Sequence, residues 1–377
     1  MRVPFFSLNT SLSETLPKLE ESIDAFLNQS SWVNDRQVRL FEEAVAEYAD
    51  APFAVATGNA TDSLIVSLMA LGVGPGDEVI VPCYSFFASV SCVLHVGAVP
   101  VFVDIEQGSY GIDCQRVEAA ITSRTKAIMP VHLFRQMVDM QVLMDIAHRH
   151  GLLVIEDSAE GIGMRWGGKH AGLIGDIGVL SFFPTKTLGA IGDAGMILTS
   201  DPVLANRARQ LLDNGRDNTG LACCNGYNSR MDDVQALWLH ARLSALESDI
   251  EQRSNLCRLY DSHLERFEEW VQRPITLKRS HTQRTVDYVY LIEVPQRDAL
   301  ASFLATNGVG TEAYYPLPLH LQPICKHLGY RSGAFPVAEL AATRALGLPL
   351  YPDMAPEDVA LVCEMIGDFF AQRGETI

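Results

Sequence analysis

The chain has no long apolar run. No uninterrupted hydrophobic stretch reaches the roughly 18–20 residues needed to span a bilayer, so no membrane-spanning helix is expected. Positive charge is scarce. The 377 residues carry 29 Lys and Arg against 46 Asp and Glu, a net charge of −17. That argues against nucleic acid as a partner, because phosphate backbones bind basic surfaces. An anionic small ligand stays compatible, since it answers to the local field at its site. Cysteines are few: only Cys223-Cys224 are neighbours among the eight, and no Cys-x-x-Cys pair occurs. Neither a zinc site nor a disulfide scaffold is suggested, and no metal is expected. Scattered free cysteines fit a reducing cytoplasm. Met1-Arg2-Val3-Pro4-Phe5-Phe6 has too short an apolar part for a signal peptide. No internal repeat or low-complexity segment is present.

What remains has the composition of a soluble enzyme, 48% hydrophobic and 20% charged. The first 35 residues are polar and weakly helical, with Leu16, Leu19, Ile23 and Phe26 at helical spacing. A clearer helix covers Val38–Tyr48. Strands and helices then alternate. The predicted strands are Phe53–Thr57, Glu78–Pro82, Pro100–Asp104, Lys126–His132, Leu152–Ile155, Ile177–Phe183 and Gly195–Thr199. Seven strands with helical crossovers predict an α/β fold, with a mostly parallel, doubly wound sheet covered on both faces. After Asn225 the pattern changes. One long helical pattern runs from Met231 through Phe267. Strands at Tyr288–Val294 and Thr311–Tyr315, a helix at Arg297–Asn307 and a last helix at Pro356–Phe370 follow. This predicts a large domain over 1–245 and a smaller α/β domain over 246–377, hinged within the long helix.

Ligands of doubly wound sheets sit outside the carboxyl ends of the strands. Three chemically loaded segments fall there. Gly58-Asn59-Ala60-Thr61-Asp62 lies between a strand and a helix, as a phosphate cradle or simply a helix cap. Asp157, in Glu156-Asp157-Ser158-Ala159-Glu160, emerges where a buried strand opens into a crevice. It suits a carboxylate pairing a pyridinium nitrogen, or the cap of a following helix. Lys186 follows a strand, with Ser181 five residues before it. Such an amine forms Schiff bases with an aldehyde cofactor, and such a hydroxyl binds its phosphate. From Asp157 to Lys186 is 186 − 157 = 29 residues, read as a helix-and-strand unit that returns the chain to the same sheet edge. Together these are the parts a pyridoxal 5'-phosphate site requires. A dinucleotide site is disfavoured, because Gly72-Val73-Gly74-Pro75-Gly76 precedes a strand instead of following one.

These segments, with Gly76-Asp77-Glu78-Val79-Ile80-Val81-Pro82, Val131-His132-Leu133, Tyr227-Asn228-Ser229-Arg230-Met231 and Tyr315-Pro316-Leu317-Pro318-Leu319-His320, resemble the DegT/DnrJ/EryC1/StrS aminotransferases nearly end to end. The resemblance implies a fold-type-I pyridoxal-phosphate enzyme. Lys186 would form the Schiff base and shuttle the proton, and Asp157 would pair the ring nitrogen. Ser181 and the backbone at Asn59 and Ala60 would hold the phosphate. Phe86 would stack on the ring. Asn228 would reach the phosphate of a neighbouring subunit, which implies a homodimer with shared active sites. Glu160 stands where glutamine or histidine is usual in the family, and a carboxylate there repels the cofactor's phenolic oxygen unless protonated or turned away. Arg135 replaces a usual glycine, as a surface change or a contact to substrate phosphate. Tyr315 and His320 either face the sugar or are structural. The loop Gly189-Ala190-Ile191-Gly192-Asp193-Ala194-Gly195 is most similar to members aminating carbon 3. The implied reaction takes an amine, with L-glutamate as donor, to a nucleotide-linked 3-oxo-6-deoxy sugar. The alternatives are a 4-keto sugar nucleotide, a cyclitol ketone, or a non-catalytic sensor of the cofactor or an amino sugar.

Overall fold

The computed structural model describes residues 2–7, 9–28, 33, 36–273, 277 and 282–372. Helices α1 (Asn9–Leu27) and α2 (Arg36–Ala49) lead into β1 (Phe53–Thr57), α3 (Ala60–Ala70), β2 (Glu78–Pro82), α4 (Ala88–His95) and β3 (Val99–Val103). Then come α5 (Cys114–Val117), β4 (Thr125–Ile128), α6 (Met140–His150), β5 (Leu153–Asp157), β6 (Arg165–Trp166), β7 (Lys169–His170), β8 (Ile177–Ser181), β9 (Gly195–Thr199) and α7 (Pro202–Leu212).

One seven-stranded sheet has the order β1-β9-β8-β5-β4-β2-β3. All pairings are parallel except those of β9, which is antiparallel to both β8 and β1. Two reversals cancel, so β1 runs with the central strands and its carboxyl end reaches the same edge as theirs. The strands are apolar on both faces because both are covered. Alternation sorts the side chains. Val79 and Val81 enter one core cluster while Ile80 enters the other, and Val179 and Leu180 divide the same way.

The stretch between β5 and β8 is not the expected helix-and-strand unit but a short β6–β7 hairpin. Gly163, Gly167 and Gly168 there all adopt positive φ, which a helix interior does not use. Consequently no helix follows for Asp157 to cap. The predicted long helix is also interrupted, between α8 (Asp233–Leu243) and α9 (Leu246–Leu264). No glycine or proline marks the break. Buried Arg242 reaches across it to Asp249, with Nη2 to Oδ2 at 2.5 Å. Farther on are β10 (Gln283–Arg284), β11 (Tyr290–Glu293), α10 (Arg297–Thr306), α11 (Pro336–Arg344), β12 (Ala345–Leu348) and α12 (Pro356–Ala371). Thr311–Tyr315 is not the predicted strand; only an isolated bridge joins Glu312 to Gly347. The partner of β11 is instead β12, whose Ala-Leu-Gly-Leu sequence has little β-propensity. A third core cluster gathers Val3 with residues from Leu256 to Phe370.

Gly195 fixes how closely β9 approaches the turn before α3. A Cβ there would lie 2.6 Å from Thr57 Oγ1, 2.7 Å from the Asn59 carbonyl carbon and 2.8 Å from Ala60 N. Gly195→Ala therefore forces this turn outward, and urea denaturation should show a loss of about 1–3 kcal/mol. An unchanged midpoint would show that the turn yields freely.

Candidate active site

The carboxyl ends of β1, β4, β5 and β8 open into a cavity of about 510 Å³, lined among others by Asn59, Ala60, Phe86, His132, Asp157, Glu160, Ser181, Lys186, Tyr288 and Tyr315. Asn59 is the N-cap of α3. Its Oδ1 accepts from Asp62 N at 2.8 Å, and its Nδ2 donates to Asp62 Oδ2 at 2.9 Å. The cap thus uses the Asn59 side chain. Ala60 and Thr61, whose amides stand at the positive end of the helix, line the cavity. Ser181 ends β8 opposite Gly195, and its Oγ accepts from Phe183 N at 3.3 Å.

The lysine loop folds back on itself. Phe182 N donates to Ala194 O at 2.9 Å, Ala190 N to Phe182 O at 2.8 Å, and Lys186 N to Phe183 O at 2.8 Å. Trp238 Nε1 anchors the loop through Gly189 O at 2.8 Å. Lys186 is thereby turned inward. Its Nζ lies 3.3 Å from Glu160 Oε1 and 4.3 Å from the centre of the Tyr288 ring. Burial pushes the amine down, but Tyr288, Glu160 and Asp157 outweigh it and leave Lys186 above the ordinary lysine value.

Asp157 is 4% exposed. Ser89 Oγ donates to its Oδ2 at 2.8 Å and Ala159 N to its Oδ1 at 3.3 Å. Burial raises its carboxyl above the ordinary aspartate value despite these donors. Glu160 is equally buried, and burial raises it too. Its Oε2 accepts from Phe134 N at 2.6 Å, and the Tyr315 hydroxyl stands 3.5 Å from Oε1. Phe86, 62% exposed, forms part of the rim.

Three expected residues lie elsewhere. Arg135 faces Asp287, with Nε to Oδ1 at 3.2 Å, and does not line the cavity. His320 is buried against Phe335 and Phe102, with Nε2 3.2 Å from Glu339 Oε1, so it is a packing residue and does not face the cavity. Asn228 is exposed outside this cavity and accepts from Arg230 Nη2 at 2.6 Å. Tyr315, by contrast, lines the cavity, through a left-handed backbone of φ 49°.

Sequence reasoning passed over four contributors. Ser89 is the second residue of α4 and Tyr288 comes from a distant segment, with no local motif around either. His132 and Glu156 form a buried pair at 3.0 Å beside Asp157, whose carbonyl accepts from His132 N at 3.0 Å. Val138 N donates to His132 Nδ1 at 3.3 Å, which places the imidazole hydrogen on Nε2, toward Glu156. Glu156 also accepts from the amides of Gly172, Ile174 and Gly175 at 2.9, 2.6 and 2.7 Å. Burial opposes its charge, yet His132 and these amides hold its carboxyl below the usual range. Among the described residues no cluster of His, Cys, Asp and Glu is suited to a metal, and no helix is long and apolar enough to cross a membrane.

Residues 16–367 match the DegT/DnrJ/EryC1/StrS aminotransferase family. The chain is 41% identical to a pleiotropic regulatory protein of Geobacillus stearothermophilus, over 98% of this chain and 99% of that one. It is 38% identical to a UDP-N-acetyl-3-dehydro-alpha-D-glucosamine 3-aminotransferase of Acidithiobacillus ferrooxidans, over 97% of each. The solved structure of DesV from S. venezuelae superposes with a TM-score of 0.93 at 34% identity, over 98% of each chain. The cavity, the lysine loop and the sheet that carries them are thus those of a member of a known group: the chain belongs to the DegT/DnrJ/EryC1/StrS aminotransferase family.

Proposed function

We propose that this chain is a pyridoxal-phosphate-dependent transaminase that moves the amino group of L-glutamate to a 3-oxo, 6-deoxy sugar carried on a nucleotide. The observation that carries the reading is the donor set around one cavity. Free helix amides at Ala60 and Thr61 and the Ser181 hydroxyl suit a phosphate. Asp157 is a buried carboxylate with no cation hydrogen-bonded to it among the described residues, which suits a protonated ring nitrogen. Lys186 supplies the amine and Phe86 an exposed aromatic face. These residues fit pyridoxal phosphate, and a structure related at 32% identity holds its amine form, PMP.

Bound there, the cofactor supplies an aldehyde that condenses with amines and a pyridinium ring that draws electrons from the carbon being altered. The protein does the rest. Asp157, its carboxylate oriented by the Ser89 hydroxyl, would hold the ring nitrogen protonated. The Lys186 amine would carry a proton between the two carbons altered in the reaction. The Glu156–His132 pair backs the Asp157 strand end and keeps its position. Asn228 is exposed and so available to a second copy, which supports a homodimer whose active sites are shared. We also place the enzyme in the cytoplasm, with residues 1–245 and 246–377 as its two domains.

Attack at carbon 3 rests on the Gly189–Gly195 loop, whose Asp193 and Ala194 line the cavity, and on the activity named for the Acidithiobacillus relative. Incubation with L-glutamate and 3-oxo or 4-oxo nucleotide sugars, read by mass spectrometry, tests it. Amination of the 3-oxo sugar alone is expected. Preference for the 4-oxo sugar would contradict the assignment.

A further inference from the structure

Glu160 has a geometry that cofactor holding does not use up. Its two oxygens are differently engaged. Oε2 accepts from the Phe134 amide at 2.6 Å, and Phe134 itself has a left-handed backbone of φ 61°. A non-glycine residue held so is strained, by about 1–3 kcal/mol. The hydrogen bond keeps one carboxylate oxygen in place and leaves Oε1 directed at Lys186 Nζ, 3.3 Å away. The pair is buried: the side chains are 3% and 15% exposed.

We infer that Glu160 is the proton partner of Lys186, holding the amine as an ammonium ion and taking up its proton when the amine must act as a nucleophile or base. The inference rests on the reading of Lys186 as the reacting amine. The proton passes from Nζ to Oε1, and the electron pair stays on nitrogen. An ion pair thereby becomes a neutral amine beside a neutral carboxyl, so the buried site neither gains nor loses net charge. A glutamine in the same place, with its one oxygen on the Phe134 amide, turns its NH2 toward Nζ and can accept neither the hydrogen bond nor the proton. The departure from the residue types usual at this position is thus a change of chemistry at nearly constant shape. The neutral carboxyl also removes the repulsion that a charged Glu160 would exert on an anionic oxygen in the cavity.

The other titratable groups around the pair are Asp157 from β5, His132 from the segment after β4, Tyr84 from the turn after β2, and Tyr288, Tyr314 and Tyr315 from the later part of the chain. Asp157 also favours the ammonium form, so it limits how far any single change shifts Lys186.

The test uses the full chain freed of cofactor, and acetic anhydride as a small neutral probe of unprotonated amines. Peptide mass spectrometry follows the labelling rate of Lys186 against pH, with the exposed Lys169 and Lys326 as internal references. In the wild type, Lys186 should become reactive at higher pH than both references. In Glu160→Gln, which keeps an acceptor for the Phe134 amide, the midpoint should fall by about 1–2 pH units. A wild-type Lys186 reactive at or below the pH of the references overturns the inference without any variant. So does a Glu160→Gln profile that matches wild type. The labelling needs no cofactor, so the two readings fail separately. A labelling shift without pyridoxal-phosphate binding removes the cofactor reading and keeps the proton pairing. Binding without the shift does the reverse.

Discussion

Lys186→Ala should lower kcat by about 10⁴-fold or more, because it removes the nucleophile and the proton carrier in one step. The fold should survive. The loop is held by backbone bonds from Phe182, Lys186 and Ala190 and by Trp238, none of which uses the lysine side chain. Glu160, left without its cation, takes up a proton in preference to standing charged in a buried site. Steady-state transamination with L-glutamate, paired with circular dichroism to establish folding, measures both halves. Normal turnover in this variant would defeat the proposed role of Lys186.

Asp157→Asn should reduce kcat by about 10²–10³-fold, on the scale of losing one buried electrostatic contact to the reacting group. Asparagine fills the same space but has a single acceptor oxygen, so it keeps the bond from Ser89 or the bond from Ala159, and it carries no charge to hold a ring nitrogen protonated. Stability should move the other way in the cofactor-free protein. Burial raises the Asp157 carboxyl, so the folded chain binds this proton more tightly than the unfolded chain does. Folding then loses stability as pH rises from the ordinary aspartate value through the raised one. Asparagine does not titrate, so the melting temperature of Asp157→Asn should gain on wild type across that window. Thermal melts of both proteins at acidic and neutral pH check the sign. A gap that narrows toward neutral pH would contradict it. Glu160 is raised in the same sense, in part by the Asp157 charge, so its own upward push eases in the variant and adds to the expected gain with the same sign.

The sheet was legible because its strands are short apolar runs bounded by Gly, Pro, Asp and Asn. Phe53–Thr57, Glu78–Pro82 and Gly195–Thr199 have the predicted bounds. Asp157 and Lys186 were legible for a related reason: a polar residue at the mouth of a buried strand is conspicuous. Legibility fails where a side chain's direction depends on a distant partner. Arg135 was a fair choice by type, but Asp287 claims it from far along the chain. His320 is turned away by Glu339. Tyr288 reaches Lys186 only through the folded arrangement of a separate segment, and no spacing predicts that. The break between α8 and α9 is likewise tertiary, since local propensity favours a continuous helix there. Glu160 falls between these cases. The family resemblance marks it as a carboxylate where an amide or imidazole is usual, and only the structure shows that it faces Lys186.

The most direct test of the central claim is the visible absorption spectrum of the purified protein with pyridoxal phosphate, before and after L-glutamate. A visible band that depends on Lys186 and bleaches when glutamate is added is the expected result. Absence of any Lys186-dependent band would contradict the assignment of this cavity as a pyridoxal-phosphate site.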